Sequence, residues 1–207
     1  MGKGVMYVVA AVVFIGIGAL VAGLSIWYHH PNLNKEPVIV EPQYAECVLK
    51  ASSKSNVTGT LSLVQSRSFL PVLITGNITG LSVGKHGFHI HQWGVVDDNC
   101  GSTGGHYNPL GYNHSAPNAT ERHMGDLGNV LAETINSGAT IANVVITDKI
   151  LTLSGKYSIV GRAIVVHKDE DDLGMGNNSG SLKTGNAGSR VACCTVYLTK
   201  APEAPKQ

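Results

Sequence analysis

Short runs of apolar and β-branched residues, separated by Gly, Asn and Asp, constrain the fold of this chain more than any other feature of its sequence. The best candidate strands are residues 46–51, 59–66, 72–79, 87–92, 142–147, 159–167 and 192–199. Charged residues make up only 14% of the chain, and 25 residues are Gly. Such a composition favours strands joined by turns over a helical bundle. We therefore predict an all-β fold, a β-sandwich or flattened barrel.

Two long Gly-rich stretches interrupt this rhythm, from residue 94 to about 129 and from 168 to 190. Loops of that length are uncommon in a compact domain unless they carry function. The hydrophobic content of 43% is enough to build a core and excludes a disordered chain. The net charge of +1 offers no basic surface for nucleic acid.

The N-terminal part of the chain has a different composition. Residues 4–28 contain no charged side chain and are apolar almost throughout, which is long enough to cross a hydrocarbon core of about 30 Å. After a short tail at residues 1–4, we predict a signal anchor, a transmembrane helix over residues 5–28. A cleaved signal peptide is the alternative, although its apolar region normally runs about 7–15 residues.

Residues 29–43 contain three prolines and little apolar periodicity, and we expect an extended stalk there. The rest of the chain should be exported: anchored with its folded part extracellular or lumenal, or secreted if the N-terminal segment is cleaved. Sequons for N-glycosylation agree with export. They begin at Asn56, Asn77, Asn113, Asn118 and Asn177. The four cysteines are even in number, as a disulfide framework requires, and their spacing matches no CxxC zinc pattern.

Histidines are concentrated in one part of the chain. Of nine, seven lie between His86 and His167. His89 and His91 are two residues apart in a strand-like run, so both rings should point to one face. His86 is an odd number of positions from both and should point elsewhere.

Further candidate ligands follow in the first long stretch and at the end of a later strand-like run. The first contains His106, His114, His123 and Asp126, and His167 ends a later strand-like run. Three His and a carboxylate suit zinc, and a nitrogen-rich site without thiolate also suits copper(II). A lone His on an apolar strand is more often a core residue, but seven clustered rings make that interpretation poor. Two adjacent metals that share a ligand would need about this inventory.

Several long motifs in this region resemble the copper/zinc superoxide dismutase family. They are HGFHIHQWG, GGHYNPLGYNH, ERHMGDLGN, GRAIVVHKDEDDLG, KTGNAGSR and VAC, in that order. The resemblance covers roughly residues 44–199 and leaves a short C-terminal tail at 200–207. It implies a Greek-key, eight-stranded barrel and an enzyme that dismutes superoxide to oxygen and hydrogen peroxide with one copper and one zinc per subunit. The prediction is that it protects the exported side of a membrane from superoxide.

The resemblance also assigns residues. It implies copper ligands at His89, His91, His106 and His167, and zinc ligands at His106, His114, His123 and Asp126. His106 would bridge both metals as an imidazolate. Asp171 would link a copper ligand to a zinc ligand, and Arg190 would guide the anion to the copper.

The cysteines and the oligomeric state are also predicted by the resemblance. Cys100 and Cys193 would form the family disulfide. That leaves Cys194 for Cys47 on the first strand, in a second bridge like that of extracellular members, although Cys47 could instead be a small buried thiol. Family members usually form homodimers, and we expect one here.

Two other classes of function remain open at this point. A non-enzymatic copper chaperone or metal-storage module could share the fold, but it would be expected to lose some copper ligands or Arg190. A structural or adhesive ectodomain would have no need for seven placed histidines. One departure from the family is that residues 177–181 in the second loop carry no charge, which leaves the strength of long-range steering open.

Overall fold

A computed structural model describes residues 41–94 and 97–202 as one antiparallel barrel. Within these residues the strands are β1 (Gln43–Ala51), β2 (Thr58–Gln65), β3 (Val72–Thr79), β4 (Gly84–His91), β5 (Asp126–Thr134), β6 (Thr140–Asp148), β7 (Ala163–His167), β8 (Arg190–Thr195) and β9 (Tyr197–Thr199). β8 and β9 are two parts of one strand, since both pair with β1 and only Val196 separates them. The barrel is therefore eight-stranded, as predicted.

The strand order around the barrel is β2-β3-β6-β5-β4-β7-β8-β1, and the pairing of β1 with β2 closes it. β3 lies beside β6 and not beside β4, so the connection from β3 to β4 must cross one end of the barrel. This order is the Greek-key arrangement. Closure leaves no long unpaired edge.

Each predicted strand overlaps an observed one, with two informative differences. The run at 159–167 becomes a strand only at Ala163, because Gly161 occupies a turn with φ of 81°. The second difference is a strand that was not predicted: β5 begins at Asp126, inside the stretch expected to be loop to about residue 129, and runs to Thr134. The polar and Gly residues at the start of β5 have the composition of a loop, and pairing with β4 makes them a strand.

Two connections between strands are long. The first joins β4 to β5 and contains a 3-10 turn at Gly101–Thr103. The second joins β7 to β8 and contains the single-turn helix α1 (Ser181–Thr184). We call them the first loop and the second loop.

The core lies inside the barrel, where alternate residues of each strand meet. Phe88 and Ile90 of β4 and Ile164 and Val166 of β7 belong to it. Side chains alternate along a strand, so the residues between them, His89, His91 and Val165, face the outside, as does His167 at the end of β7. All of these outward side chains are nevertheless buried.

The predicted membrane-spanning helix at 5–28 and most of the stalk lie outside the described residues. Residue 43, expected at the end of the stalk, is already part of β1. No helix among the residues that the structure describes is both long and apolar enough to cross a bilayer.

Candidate metal centre

Two groups of potential metal ligands lie side by side on the outer face of β4 and β7. One consists of His89, His91, His106 and His167, and the other of His106, His114, His123 and Asp126. In each group the ligand atoms lie within 4.8 Å of one another, and every residue is buried. These are the two predicted ligand sets, and His106 belongs to both.

Backbone carbonyls fix the orientation of two rings in the first group. His91 Nδ1 lies 2.9 Å from Gly104 O, and His167 Nδ1 lies 3.1 Å from Gly188 O. A carbonyl oxygen only accepts, so Nδ1 must donate in both rings. The Nε2 atoms are left without protons and lie 3.3 Å apart. The lone pairs of these two Nε2 atoms point toward a common position, where a metal cation could bind both.

The other two rings of this group leave nitrogen atoms without partners. His89 Nε2 donates to Asp171 Oδ2 at 2.8 Å, so its Nδ1 is the free atom. Among the described residues, neither His89 Nδ1 nor His106 Nε2 has a hydrogen-bond partner, although both are buried. A buried polar atom without a partner is costly. Coordination to a metal satisfies both, and a set of nitrogen atoms without thiolate fits copper.

The second group converges on one carboxylate oxygen. Asp126 Oδ1 lies 2.9 Å from His106 Nδ1, 2.9 Å from His114 Nδ1 and 3.1 Å from His123 Nδ1. His114 Nδ1 makes no hydrogen bond despite this short distance. Three imidazole nitrogens and one carboxylate oxygen around a common centre form the donor set of a closed tetrahedral zinc site.

Asp171 connects the two ligand groups through the nitrogen atoms of His89 and His114 that face away from the potential metal positions. Its Oδ2 holds His89 Nε2, and its Oδ1 accepts a 2.7 Å hydrogen bond from His114 Nε2. The close approach requires Gly185, whose φ is 63°, because a Cβ there would overlap Asp171 Oδ1. Such outer contacts fix the orientation and tautomer of ligating rings.

Asn129, a residue that sequence reasoning missed, holds the backbone of Asp171. Its Nδ2 donates to Asp171 O at 2.9 Å, and its Oδ1 accepts from Asp171 N at 2.8 Å. The motif ERHMGDLGN contains this Asn, but nothing local indicates that it would meet the second loop.

Arg122 is another buried positioning group that the sequence did not reveal. Nη1 donates to the carbonyl oxygens of His123, Met124 and Asp126, and Nη2 pairs with Asp148. The guanidinium thereby fixes the backbone on which two potential zinc ligands stand.

Burial and neighbouring charges set the protonation of these groups in the metal-free chain. Burial, reinforced by the other rings, lowers the pKa of His89 and His91 well below the usual value and lowers that of His167 to about 4. Burial alone would also lower the pKa of His114, but the carboxylates of Asp126 and Asp171 outweigh it and raise that pKa to about 9. The rings of His89, His91 and His167 are therefore neutral, as metal ligands must be, whereas a metal bound in the second group has to displace a proton from His114.

Arg190 stands at the junction of the second loop and β8. Nη1 donates to Cys100 O and to Thr103 Oγ1, the latter at 2.8 Å, and Nη2 donates to Gly104 O. Gly104 O is also the acceptor for His91. The guanidinium thus lies one carbonyl oxygen away from a potential copper ligand.

His86 does not join the cluster, as the odd spacing predicted. Its Nδ1 donates to His167 O at 3.0 Å, and its Nε2 accepts from Ser82 Oγ at 3.2 Å. Both nitrogens are occupied, so His86 supports the backbone of β7 and is not a ligand.

Both predicted disulfides are present in the structure. Cys100–Cys193 has a Cα–Cα distance of 5.9 Å and Cys47–Cys194 one of 5.4 Å. Cys193 lies with Cys100 in a small outer cluster, whereas Cys194 and Cys47 lie in the barrel core. Adjacent residues of β8 therefore serve opposite faces, as the alternation of a strand requires.

The sequence profile of copper/zinc superoxide dismutase matches residues 57–196. The chain belongs to this family. Its copper and zinc cofactors, and its place among the oxidoreductases, follow from that membership and agree with the two ligand groups.

Named superoxide dismutases are similar along most of this domain. Copper/zinc superoxide dismutase 3 of Arabidopsis thaliana is 51% identical over 150 residues, which are 72% of this chain and 88% of the plant protein. Copper/zinc superoxide dismutase 5 of Dictyostelium discoideum is 47% identical over 75% of this chain and 98% of its own length. The extracellular copper/zinc superoxide dismutase of Caenorhabditis elegans is 49% identical over 69% of this chain and 62% of its own length.

Proposed function

We propose that this chain dismutes superoxide at a binuclear centre, with copper held by His89, His91, His106 and His167 and zinc held by His106, His114, His123 and Asp126. Two superoxide anions and two protons give one O2 and one H2O2. The observation that carries the assignment is the sharing of His106 between two adjoining buried ligand groups. Copper supplies the one-electron redox chemistry of this reaction when bound.

His106 has a role on each side of the centre. Its Nδ1 faces Asp126, and its Nε2 faces the copper-side rings without another partner. With a metal ion in each group, His106 would be the ligand that both share, and it would lose its second proton and act as an imidazolate. Nε2 is then the atom that can take up a proton and give it to the reduced product, which needs two.

The zinc side keeps His106 in place. Zinc has no redox chemistry, so its contribution is geometric. Asp126 is positioned by β5, its Oδ2 accepts hydrogen bonds from Ser115 N and His123 N, and Arg122 holds the same segment. These contacts attach the first loop to the barrel and hold the His106 ring in position beside Asp126.

Arg190 is proposed as the anion guide. A half-buried guanidinium anchored beside a copper ligand attracts a small anion and can donate a charge-assisted hydrogen bond to it. Lys183 on α1 adds positive charge to a second loop whose residues 177–181 are neutral. We infer that these two cations supply much of the local field.

We also propose that residues 44–199 form the catalytic domain and act on the exported side of a membrane, tethered through residues 5–28. Two disulfides and the similarity to an extracellular relative support export. All five predicted glycosylation sites, Asn56, Asn77, Asn113, Asn118 and Asn177, are exposed. A homodimer is proposed through the apolar surface beside β1 and β9, where Val48 and Leu198 are exposed.

The test of the function is a joint measurement of metal content and superoxide removal. Protein loaded with copper and zinc should dismute superoxide far faster than buffer, and protein loaded with zinc alone should not. Equal rates for the two preparations would overturn the proposal.

A further inference from the structure

A buried hydroxyl lies between the proposed anion guide and a proposed copper ligand. Thr103 ends the 3-10 turn of the first loop and is 0% exposed. Its Oγ1 donates to Cys100 O at 2.8 Å, accepts from Arg190 Nη1 at 2.8 Å and lies 3.3 Å from His91 Nδ1. No role in the reaction has so far been given to this side chain.

The direction of these hydrogen bonds determines what the hydroxyl does. Cys100 O can only accept, so the Thr103 hydroxyl gives its single proton there. The lone pairs of Oγ1 are then directed away from Cys100 and can accept from Arg190. All other hydrogen-bond acceptors that the described residues offer to the Arg190 guanidinium are backbone oxygens.

The neighbouring residue completes the link. Gly104 O accepts from both Arg190 Nη2 and His91 Nδ1. Thr103 and Gly104 therefore contact both nitrogens at the end of Arg190 and also the outer nitrogen of His91. Because Thr103 and Gly104 also contact His91, any movement of the guanidinium relative to these two residues changes its distance from His91.

We propose that Thr103 is a positioning residue for superoxide: its hydroxyl holds the Arg190 guanidinium at a fixed distance from the copper side of the centre. The inference rests on the proposed role of Arg190. A guanidinium presents a planar fork of donors, and four hydrogen bonds to one loop, of which that to Thr103 alone goes to a side chain, fix its position and its tilt. Without the hydroxyl, the guanidinium keeps only the backbone oxygens of Cys100, Gly101 and Gly104, and Nη1 is held less tightly beside His91.

Thr103→Val removes the hydroxyl and keeps the shape of the side chain. With copper and zinc loaded, we expect unchanged metal content, kcat/KM for superoxide lowered about fivefold and the Kd of azide, a small anionic probe, raised by a similar factor, as loss of one hydrogen bond of about 1 kcal/mol gives. Thr103→Ser restores the hydroxyl and should bring both quantities back near the wild-type values. Thr152→Val is the matched control, since its hydroxyl bonds Gln65 and Ser154 away from the metal centre.

A double-mutant cycle separates positioning of Arg190 from a general effect on the loop. If Thr103 acts through Arg190, Thr103→Val should add nothing to Arg190→Ala in either measurement. Additive effects would overturn the inference. So would wild-type azide binding and kcat/KM in Thr103→Val.

Two further outcomes are distinguishable. If Arg190→Ala alone changes neither quantity, the proposed anion guide fails and the inference fails with it; if Arg190→Ala lowers both while Thr103→Val does not, only the inference fails. Should Thr103→Val not fold, Thr103→Ala takes its place. If Thr103→Val and Thr103→Ala both lose metal while Thr103→Ser keeps it, the hydroxyl is needed for the structure of the site, and a positioning role is contradicted.

Discussion

In each proposed copper ligand, one ring nitrogen is hydrogen-bonded to a neighbouring residue, and the other is available to bind a metal. Gly104 O, Gly188 O and Asp171 take the outer nitrogens of His91, His167 and His89. Among the residues that the structure describes, the inner nitrogens then have no partner other than one another. The protein therefore fixes the tautomers of these rings in the absence of metal. Only His106 belongs to both ligand groups, so substitution of any other ligand should affect mainly one metal.

His167→Ala should remove copper and leave most of the zinc, because His167 belongs only to the first ligand group. Loss of one of four ligands should abolish dismutation while the fold persists. Metal analysis of the purified variant checks this. Thr152→Val is the control, since the Thr152 hydroxyl bonds Gln65 and Ser154 away from the metal centre and its variant should hold both metals; zinc loss from His167→Ala equal to its copper loss would contradict the division of ligands.

Asp126→Ala should have the opposite metal selectivity. It removes the oxygen on which three rings converge and also the acceptor for two backbone N–H groups of the first loop. We expect zinc content to fall, copper to be largely retained, and amide exchange at Ser115 and His123 to quicken. Unchanged zinc stoichiometry would refute the assignment.

Arg190→Ala should slow dismutation about 10- to 100-fold, the equivalent of one charged hydrogen bond of about 1.5–3 kcal/mol. Neither metal should be lost, because Arg190 is not a ligand. Rates should also fall with salt in the wild type, since the Debye length is only about 8 Å at physiological ionic strength, and this salt dependence should flatten in the variant. The exposed Arg67 gives a matched control, Arg67→Ala, with wild-type rates; a salt-independent wild type would contradict the steering role.

At the level of strands and loops, the sequence predicts what is periodic and misses what depends on distant contacts. The spacing of His89 and His91 correctly predicts a shared face, and the consecutive Cys193 and Cys194 correctly predict opposite faces. β5 was missed because its first residues are polar and Gly-rich. Asn129 lies on that strand, and its role was missed because its partner, Asp171, is 42 residues away in the chain.

The contacts that order the site join residues far apart in the chain, and no local pattern reveals them. Arg122 meets Asp148 at the end of β6, and Asn129 meets Asp171 on the second loop. Family resemblance supplied the ligand sets and the role of Asp171. The geometry that connects them came from the fold.

The disulfide between β1 and β8 should be a major contributor to stability. It closes a separation of 147 residues, for which the chain-entropy model gives about 5 kcal/mol. Cys47→Ala/Cys194→Ala should lower the free energy of unfolding by up to that amount, measured by denaturant titration, with metal content unchanged because both residues face the core. Peptide mapping without reduction should find Cys47 and Cys194 linked in the exported wild type, and both as free thiols would contradict the bridge.

For the whole molecule, the folded part is a closed barrel with its chemistry on one outer face under two loops. The chain is essentially neutral, with a net charge of +1, so its total charge gives superoxide little long-range attraction. Attraction of the substrate must then come from a few nearby cations. Where the enzyme acts depends on the segment that precedes the barrel.

A tether at residues 5–28 predicts membrane association that resists carbonate extraction, with residues 29–207 on the exported side. An apolar segment of that length has to be buried in lipid or removed. N-terminal sequencing of the mature protein decides between these outcomes. A soluble product that begins near Leu24 would convert the segment into a signal peptide.

The central claim is that one chain holds a copper and a zinc ion joined through His106 and uses them to dismute superoxide. Metal analysis of the purified, metal-replete wild type, coupled to its rate of superoxide removal, tests this most directly. We predict one copper and one zinc per chain and a rate far above that of free buffer, lost when copper alone is withdrawn. A protein that holds only zinc when both metals are supplied, or that removes superoxide no faster than buffer, would contradict the account.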